Sequence, residues 1–182
     1  FSLYTRDIPS VAQQAESIQF ADDIALTCSR PTQQELTATL SRAVTCIADW
    51  LKQRGLILNA SKSQALVVPA GKLEAQPELD VWCHATKLPS VSSARYLGVH
   101  IDSAMSWNTQ MDRCVARLTK KVGVLWRMRR CLSMQSRIQY FKSVIMPDFS
   151  YGSNAFSASL AGKHLDRLQV LQNRAARGVY GC

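Results

Sequence analysis

Two adjacent carboxylates, Asp22 and Asp23, stand between apolar segments that favour β-strands. These segments, residues 17–20 and 24–26, predict two strands joined by a tight turn at residues 21–23. Such a hairpin places two negative charges at one tip, where they repel each other unless a cation neutralises them. Carboxylate oxygens suit Mg²⁺, which usually adds substrate phosphates to its ligand shell. The hairpin therefore predicts part of a Mg²⁺ site for phosphoryl transfer; the alternative is a pair of solvated turn residues.

Two further segments follow the hairpin. Residues 54–63 read Arg-Gly-Leu-Ile-Leu-Asn-Ala-Ser-Lys-Ser, and residues 94–102 read Ala-Arg-Tyr-Leu-Gly-Val-His-Ile-Asp. In this order and at these spacings, the Phe-Ala-Asp-Asp hairpin and the two segments resemble the palm of non-LTR (LINE-type) retrotransposon reverse transcriptases. Residues 1–9, 145–152 and 168–175 resemble other segments of that family. The resemblance therefore covers nearly the whole chain.

This resemblance implies an RNA-directed DNA polymerase in the intact parent, working by two-metal nucleotidyl transfer. Its partners would be an RNA template, a DNA primer or RNA–DNA hybrid, and deoxynucleoside triphosphates, with Mg²⁺ (or Mn²⁺) as cofactor. Asp22 would hold the metals together with an Asp from an earlier strand of the family, and Asp23, the second candidate ligand, would contact metal less directly; both are assigned as catalytic. Phe20 would pack against the primer end, where many reverse transcriptases carry Tyr. The family also implies a cytoplasmic and nuclear protein.

Other sites follow from the same resemblance. Lys62, in the turn after the first long helix, would protonate the leaving pyrophosphate or pair with its charge; the alternative is a solvated turn lysine. Tyr96, Leu97 and Gly98 resemble the segment that positions the primer strand, and their alternative is a core strand at the edge of the palm. Asn59 is expected to shape its own turn.

The resemblance also indicates missing parts. In the family an earlier strand supplies another metal-binding Asp, whereas Asp7, the only Asp before the hairpin, falls in an Asp-Ile-Pro stretch. The family's fingers and its template-contacting Gln-Gly segment do not occur in these residues. We therefore expect a fragment or a decayed copy that has no polymerase activity alone.

Charge is divided unevenly along the chain. Residues 1–105 hold 9 Lys and Arg against 10 Asp and Glu, a net charge of −1. Residues 106–182 hold 13 against 3, a net charge of +10. The second part is therefore expected to meet a polyanion; the alternative is a basic helical domain without a partner. The six cysteines form no C-x₂₋₄-C pair, so neither a zinc cluster nor a disulfide framework is indicated.

Apolar periodicity predicts several elements. Thr32 and Glu35 have capping-box spacing and begin a helix that ends at Gly55. Short strands are expected at residues 56–58, 65–68 and 95–101, with weaker strands near 81–83 in a loop at 70–90. Further helices are expected at residues 136–144, ending near Pro147, and at 163–180, with Leu165, Leu168, Val170, Leu171, Ala175 and Val179 on one face.

A two-faced helix is expected to begin at Ser106. Its apolar face comprises Trp107, Met111, Val115, Leu118, Val122 and Leu125. Its opposite, basic face comprises the predicted phosphate contacts Arg113, Arg117, Lys120, Lys121 and Arg127.

The predicted fold class is α+β. Residues 1–105 would form the C-terminal part of a polymerase palm, a small antiparallel sheet with a packed helix. Residues 106–182 would form a mostly helical, basic, thumb-like and truncated segment. Two rivals stay open: a non-enzymatic nucleic-acid-binding remnant of a decayed retroelement, and a different polymerase such as a group II intron maturase.

Overall fold

The computed structural model describes residues 4–12, 14–69, 71 and 78–181, and the chain divides into two compact units, Phe1–Ala94 and Arg95–Cys182. Helices and small antiparallel sheets are mixed, which confirms the predicted α+β class. The predicted small sheet is instead three separate two-stranded sheets among the described residues. Residues 1–3 and 72–77, parts of the predicted segment 1–9 and loop 70–90, lie outside the described residues.

The first unit is built around one long helix. Its elements are α1 (Ile8–Val11), β1 (Glu16–Phe20), β2 (Asp23–Thr27), α2 (Gln33–Gln53), β3 (Trp82–Cys83) and β4 (Thr86–Lys87). The Thr32 side chain accepts a hydrogen bond from the Glu35 amide at 3.2 Å, which confirms the predicted start of α2. Gly55 adopts φ +74° and ends the helix. Its N–H donates to Lys52, and the next N–H donates to Leu51, as in a Schellman motif.

The apolar side of α2 is core. Ile47 and Leu51 are buried with Ile8, and Ile24 and Leu26 of β2 pack against this cluster. A second cluster in the same unit contains the buried Leu79, Val81 and Leu88, with Leu36 and Leu40 of α2 packed on it. The side chains of β2 therefore seat the β1–β2 hairpin on the cluster that α1 and α2 form together.

Two predicted strands of this unit are wrong. Residues 56–58 have no regular structure, and in the segment 65–68 only Ala65 forms a bridge, an isolated one with Ser90. Leu58 nevertheless packs on both apolar clusters, and Ala65 is buried. Apolar contacts alone do not make these segments strands, because an apolar segment becomes a strand only when a neighbouring strand accepts its hydrogen bonds.

The predicted strand at 95–101 is also wrong, because the chain reverses within it. β5 (Ser93–Tyr96) and β6 (Val99–Asp102) pair with each other across two connecting residues. Those residues, Leu97 and Gly98, have φ of +45° and +81°. Two successive positive φ values are typical of a type I′ hairpin turn, and a connection this short permits only antiparallel strands.

The second unit is held together by its two longest helices, α3 (Asn108–Met128) and α7 (Gly162–Tyr180). Their shared core contains the buried residues Cys114, Leu118, Val122, Leu125, Ile145, Leu171, Ala175 and Val179. This confirms the predicted apolar face of α3 at its central positions. On α7 the prediction is wrong at Leu165 and Val170, which are 51 % and 65 % exposed, and His164 is buried instead of its neighbour Leu165.

The predicted helix end near Pro147 is wrong. α4 (Met134–Tyr140) continues through a π-helical segment, Phe141–Ile145, into α5 (Met146–Ser150). A proline inside an α-helix lacks the amide donor and clashes with the preceding turn, and a π-helical turn changes the local hydrogen-bond pattern. Short helical turns at α6 (Ser153–Phe156) and Ser157–Ser159 lead to α7.

Within the residues described, no helix combines the length and apolar character needed to cross a membrane.

Candidate catalytic hairpin and nucleic-acid interface

The β1–β2 hairpin presents both predicted metal ligands at its exposed tip. Phe20 pairs with Asp23 in the register, so Ala21 and Asp22 form the two-residue connection. Asp23 therefore begins β2 instead of lying inside the turn. Ala21 has φ +51°, a conformation that residues with a side chain seldom adopt. Asp22 and Asp23 are both exposed, so a ligand can reach both carboxylates.

Neighbouring groups hold this tip in place. Gln19 Nε2 donates to the Ala21 carbonyl oxygen at 3.3 Å and to Thr5 Oγ1 at 2.5 Å. Phe20, 63 % exposed, shares a face of the hairpin with Asp23 because side chains of a cross-strand pair point to the same side. The structure therefore brings an exposed aromatic ring next to a carboxylate, and the contact of Phe20 with a primer stays a prediction.

The donor set at the tip suits a hard cation. Two carboxylates supply oxygen ligands, and Mg²⁺ commonly binds one or two carboxylates together with water and phosphate oxygens. Among residues 4–12, 14–69, 71 and 78–181, no group of three or more His, Cys, Asp or Glu side chains is positioned to hold a metal. The hairpin thus fits as one part of a site that other ligands complete.

Lys62 occupies a well-defined turn. Asn59 Oδ1 accepts from the Ser61 hydroxyl at 2.7 Å and from the Lys62 amide at 3.3 Å, so Asn59 shapes its own turn, as predicted. The Lys62 side chain is exposed. In the described part of the chain no ion pair joins it to Asp22 or Asp23, so its catalytic role stays a prediction.

The β5–β6 turn carries Leu97 and Gly98, with Tyr96 ending β5 beside it. Tyr151 donates its hydroxyl hydrogen bond to the Leu97 carbonyl oxygen at 2.5 Å, and its ring would lie 3.4 Å from a Cβ atom at Gly98. A Cβ atom at Gly152 would lie 2.8 Å from Val99 Cγ2, so only glycine permits this approach. No local sequence pattern indicates this support, because the Tyr-Gly pair lies more than fifty positions after the turn.

The basic face of α3 is largely as predicted. Arg113, Arg117, Lys120 and Arg127 are exposed, whereas Leu118 on the opposite side is fully buried. At about 100° per residue, these four cations fall within roughly 80° of one another around the helix axis. They lie along one exposed side of α3, which we call the α3 basic face.

Lys121 departs from the prediction. Its Nζ lies 2.7 Å from Asp148 Oδ2 and donates to the Val144 carbonyl oxygen at 3.0 Å. Lys121 lies about 80° around the axis from Arg113, close to the buried side of α3. The side chain therefore ties α3 to the segment 144–148, and it is not part of the α3 basic face.

Polar groups also fix the start of α3. Asp102 accepts from the amides of Ser106 and Trp107, both at 2.9 Å.

The buried His164 places Nε2 3.0 Å from Asn108 Oδ1 on α3. Burial, reinforced by the charges of Lys163 and Arg167, lowers the pKa of His164 below its usual value. His164 is therefore a neutral link between α3 and α7 at neutral pH.

Comparison with known proteins places these sites in a family. The reverse transcriptase (RNA-dependent DNA polymerase) family matches residues 1–101, which contain the hairpin, Lys62 and the Tyr96–Gly98 segment. The chain is 24 % identical over 189 residues to a probable RNA-directed DNA polymerase from transposon X-element of Drosophila melanogaster, covering all of this chain and 20 % of that protein.

Two further relatives agree. Identity is 25 % over 194 residues to a probable RNA-directed DNA polymerase from transposon BS of Drosophila melanogaster, covering all of this chain and 21 % of that protein. It is 24 % over 191 residues to the RNA-directed DNA polymerase from mobile element jockey of Drosophila funebris, covering all of this chain and 20 % of that protein. The chain thus spans about a fifth of the length of these relatives. No solved structure shows significant similarity. The chain belongs to the reverse transcriptase (RNA-dependent DNA polymerase) family, and its predicted kinship with transposon polymerases is confirmed.

Proposed function

We propose that this chain supplies the C-terminal part of the palm and a thumb-like segment to the RNA-directed DNA polymerase of a non-LTR retrotransposon. The observation that carries this proposal is the exposed Asp22–Asp23 tip within the residues that match the family. The Lys62 turn and the Leu97–Gly98 turn follow the tip in the family's order. Such a polymerase would act in the cytoplasm and nucleus.

In this role Asp22 and Asp23 would hold Mg²⁺ or Mn²⁺ through their carboxylate oxygens. When bound, the cation would favour the deprotonated primer 3′-hydroxyl and offset negative charge on the leaving pyrophosphate. Phe20 would pack against the primer end from its exposed position beside Asp23. Lys62 would donate a proton to the pyrophosphate or pair with its charge.

Primer and template would be held by other residues. The Leu97–Gly98 turn, supported by Tyr151, would approach the primer strand with its backbone. The α3 basic face would contact the phosphates of an RNA–DNA hybrid. Phosphate contacts position a nucleic acid without reading its sequence, as a polymerase that copies any template requires.

A second candidate function is binding without polymerisation. Two observations favour it. The hairpin tip supplies only two carboxylates, and the described residues hold no group of three or more potential metal ligands. Residues 106–182 carry a net charge of +10, which suits binding to a polyanion. In that case the chain would hold an RNA–DNA hybrid and extend no primer.

Primer extension by the full-length parent separates the two candidates. We expect Asp22→Asn to abolish nucleotide addition, because a lost metal ligand leaves charge in the transition state unneutralised. Lys62→Ala should slow the reaction about 10²–10⁴-fold, the usual contribution of a positioned acid. Glu16→Gln is the matched control, since Glu16 is exposed at the far end of the same hairpin, opposite Thr27. Near-normal extension by Asp22→Asn would contradict the site.

A further inference from the structure

An open cleft lies on the second unit, between one side of α7 and the C-terminal end of α3. It encloses about 400 Å³ and is lined by Trp126, Val170, Asn173, Arg174 and Arg177. The four α7 positions follow the i, i+3, i+4, i+7 spacing of one helix face. Hence a single side of α7 forms one wall, and Trp126 of α3 contributes the other.

Trp126 is firmly fixed in this cleft. Its indole N–H donates to the Arg174 carbonyl oxygen at 2.9 Å. Gly178 allows the ring to approach α7, since a Cβ atom there would lie 3.0 Å from Trp126 Nε1. The Arg129 guanidinium lies over the ring, with Cζ 4.2 Å from the ring centroid. The result is a flat, positively charged surface held in place by α3 and α7.

The cleft carries uncompensated positive charge. Arg174 and Arg177 are exposed, and neither forms an ion pair within the described ranges of the chain. On the same helix Arg167 is paired, with Nη1 2.8 Å from Asp112 Oδ1. Val170, 65 % exposed, adds an apolar side chain to the lining of the same cleft. The cleft therefore offers two forked donors beside a flat surface and an apolar patch.

This combination matches an unpaired nucleic-acid strand better than a duplex. Guanidinium groups bind phosphates with two parallel hydrogen bonds. Unpaired bases stack on aromatic rings and on guanidinium planes, whereas the bases of a duplex are already stacked on each other. Trp126 also lies roughly 140° around the α3 axis from Arg113, so the cleft and the α3 basic face point in different directions.

We propose that this cleft binds an unpaired strand of DNA or RNA. Arg174 and Arg177 pair with its phosphates, and a base stacks on the Arg129 guanidinium, which lies over Trp126 beside the cleft and is not one of its lining residues. This function goes beyond the hybrid contact assigned to the α3 basic face, and it needs neither catalysis nor a bound hybrid. A hybrid and an unpaired strand can then occupy the unit together.

The test compares two charge-matched double variants of the 182-residue chain, Arg174→Ala/Arg177→Ala and Arg113→Ala/Arg117→Ala. Each removes two exposed guanidinium groups from one helix face. Fluorescence anisotropy measures binding of a labelled oligo(dT) and of a labelled RNA–DNA hybrid over a range of salt concentrations. Thermal unfolding checks that both variants are folded.

We expect the cleft variant to bind oligo(dT) at least about tenfold more weakly, because each charged hydrogen bond contributes that much or more. Its salt slope should fall by about 1.4, at about 0.7 per single-strand phosphate. Its hybrid affinity should change little, and the Arg113/Arg117 variant should show the reverse pattern. If the cleft variant fails to fold, Val170→Glu places a repelling charge at an exposed position and should weaken oligo(dT) binding selectively.

Three results would overturn the cleft assignment. Equal weakening of oligo(dT) by both double variants would mean that only overall charge matters. Loss of hybrid binding alone in the cleft variant would make the cleft a duplex site. Displacement of oligo(dT) by a poly-glutamate peptide at equal concentration would make it a docking site for acidic protein. An Arg113/Arg117 variant with normal hybrid binding would count against the proposed function and leave the cleft assignment standing.

Discussion

The charges that we propose to be functional are clustered in the Asp22–Asp23 hairpin and spread along the helix in α3. The hairpin places two carboxylates side by side at its tip, Asp22 in the turn and Asp23 at the start of β2, and Gln19 supports that turn from β1. α3 distributes its cations over fifteen residues, from Arg113 to Arg127, along a helix whose other side is core. A site made of adjacent residues can be recognised in the sequence. A site spread along a helix also requires the direction in which each side chain points, because Lys120 is exposed whereas its neighbour Lys121 pairs with Asp148.

The largest expected effect tests whether α3 is two-faced. Leu118 is fully buried in the core shared with α7. Leu118→Ala should lower the free energy of unfolding by about 2–5 kcal/mol, since the lost contacts leave a cavity. Urea unfolding followed by circular dichroism measures this. A loss below about 1 kcal/mol would mean that this side of α3 is not core.

A smaller difference in the free energy of unfolding should distinguish variants of the adjacent residues Lys120 and Lys121. Lys121→Met removes the partner of Asp148, whose side chain is only 16 % exposed. Leaving a mostly buried polar group unpaired typically costs about 1–3 kcal/mol. Lys120→Met is the matched control, and as an exposed change it should stay within about 0.5 kcal/mol.

Hybrid binding should show the opposite order for these two variants. Lys120→Met should weaken it, whereas Lys121→Met should leave it nearly unchanged once the protein is folded. If the two variants had the same free energy of unfolding and the same affinity for hybrid, Lys121 would not be the structural residue and Lys120 would not belong to a binding surface.

The smallest effect concerns pH. The pKa of His164 is lowered in the folded chain, mainly by burial and then by Lys163 and Arg167, against an opposing effect of Asp112. The unfolded chain therefore binds the proton more readily. Stability is complete above the unfolded value of 6.5 and falls as pH drops below it.

Thermal unfolding between pH 7.5 and 5 measures this dependence. His164→Gln, which keeps an amide donor toward Asn108, should reduce it. His100, whose pKa is lowered mainly by burial, acts in the same direction and accounts for part of what remains. An identical pH profile for the variant would contradict a buried neutral His164.

Features made by adjacent residues were mostly predicted from the sequence, and features made by residues far apart in the sequence were not. Thr32, Gly55 and the hairpin were predicted correctly, because caps and tight turns depend on residues within a few positions. The Leu97–Gly98 turn was missed because Leu is rare at positive φ, which hid the reversal. The Tyr151 support for that turn and the Lys121–Asp148 pair join residues distant in sequence, so no local pattern could show them.

The cleft beside Trp126 was missed for a related reason. Arg174, Arg177 and Val170 were read as members of a single helix, with Val170 on its apolar face. Their common surface exists only because Gly178 brings α7 close to the indole of Trp126. A glycine inside a helix, here Gly178, can indicate a close approach of another group, but the sequence does not show that this group is the indole of Trp126.

The most direct test of the account is a salt titration of RNA–DNA hybrid binding by the 182-residue chain. It compares the wild type with Arg113→Ala/Arg117→Ala/Lys120→Ala and with Asp22→Asn. The triple variant should unfold at nearly the wild-type temperature, bind any hybrid sequence more weakly, and lose about one unit or slightly less of salt slope for each lost phosphate contact. Asp22→Asn should bind as the wild type does. An unchanged slope in the triple variant, or a slope that changes in Asp22→Asn instead, would contradict the assignment of chemistry to the hairpin and binding to α3.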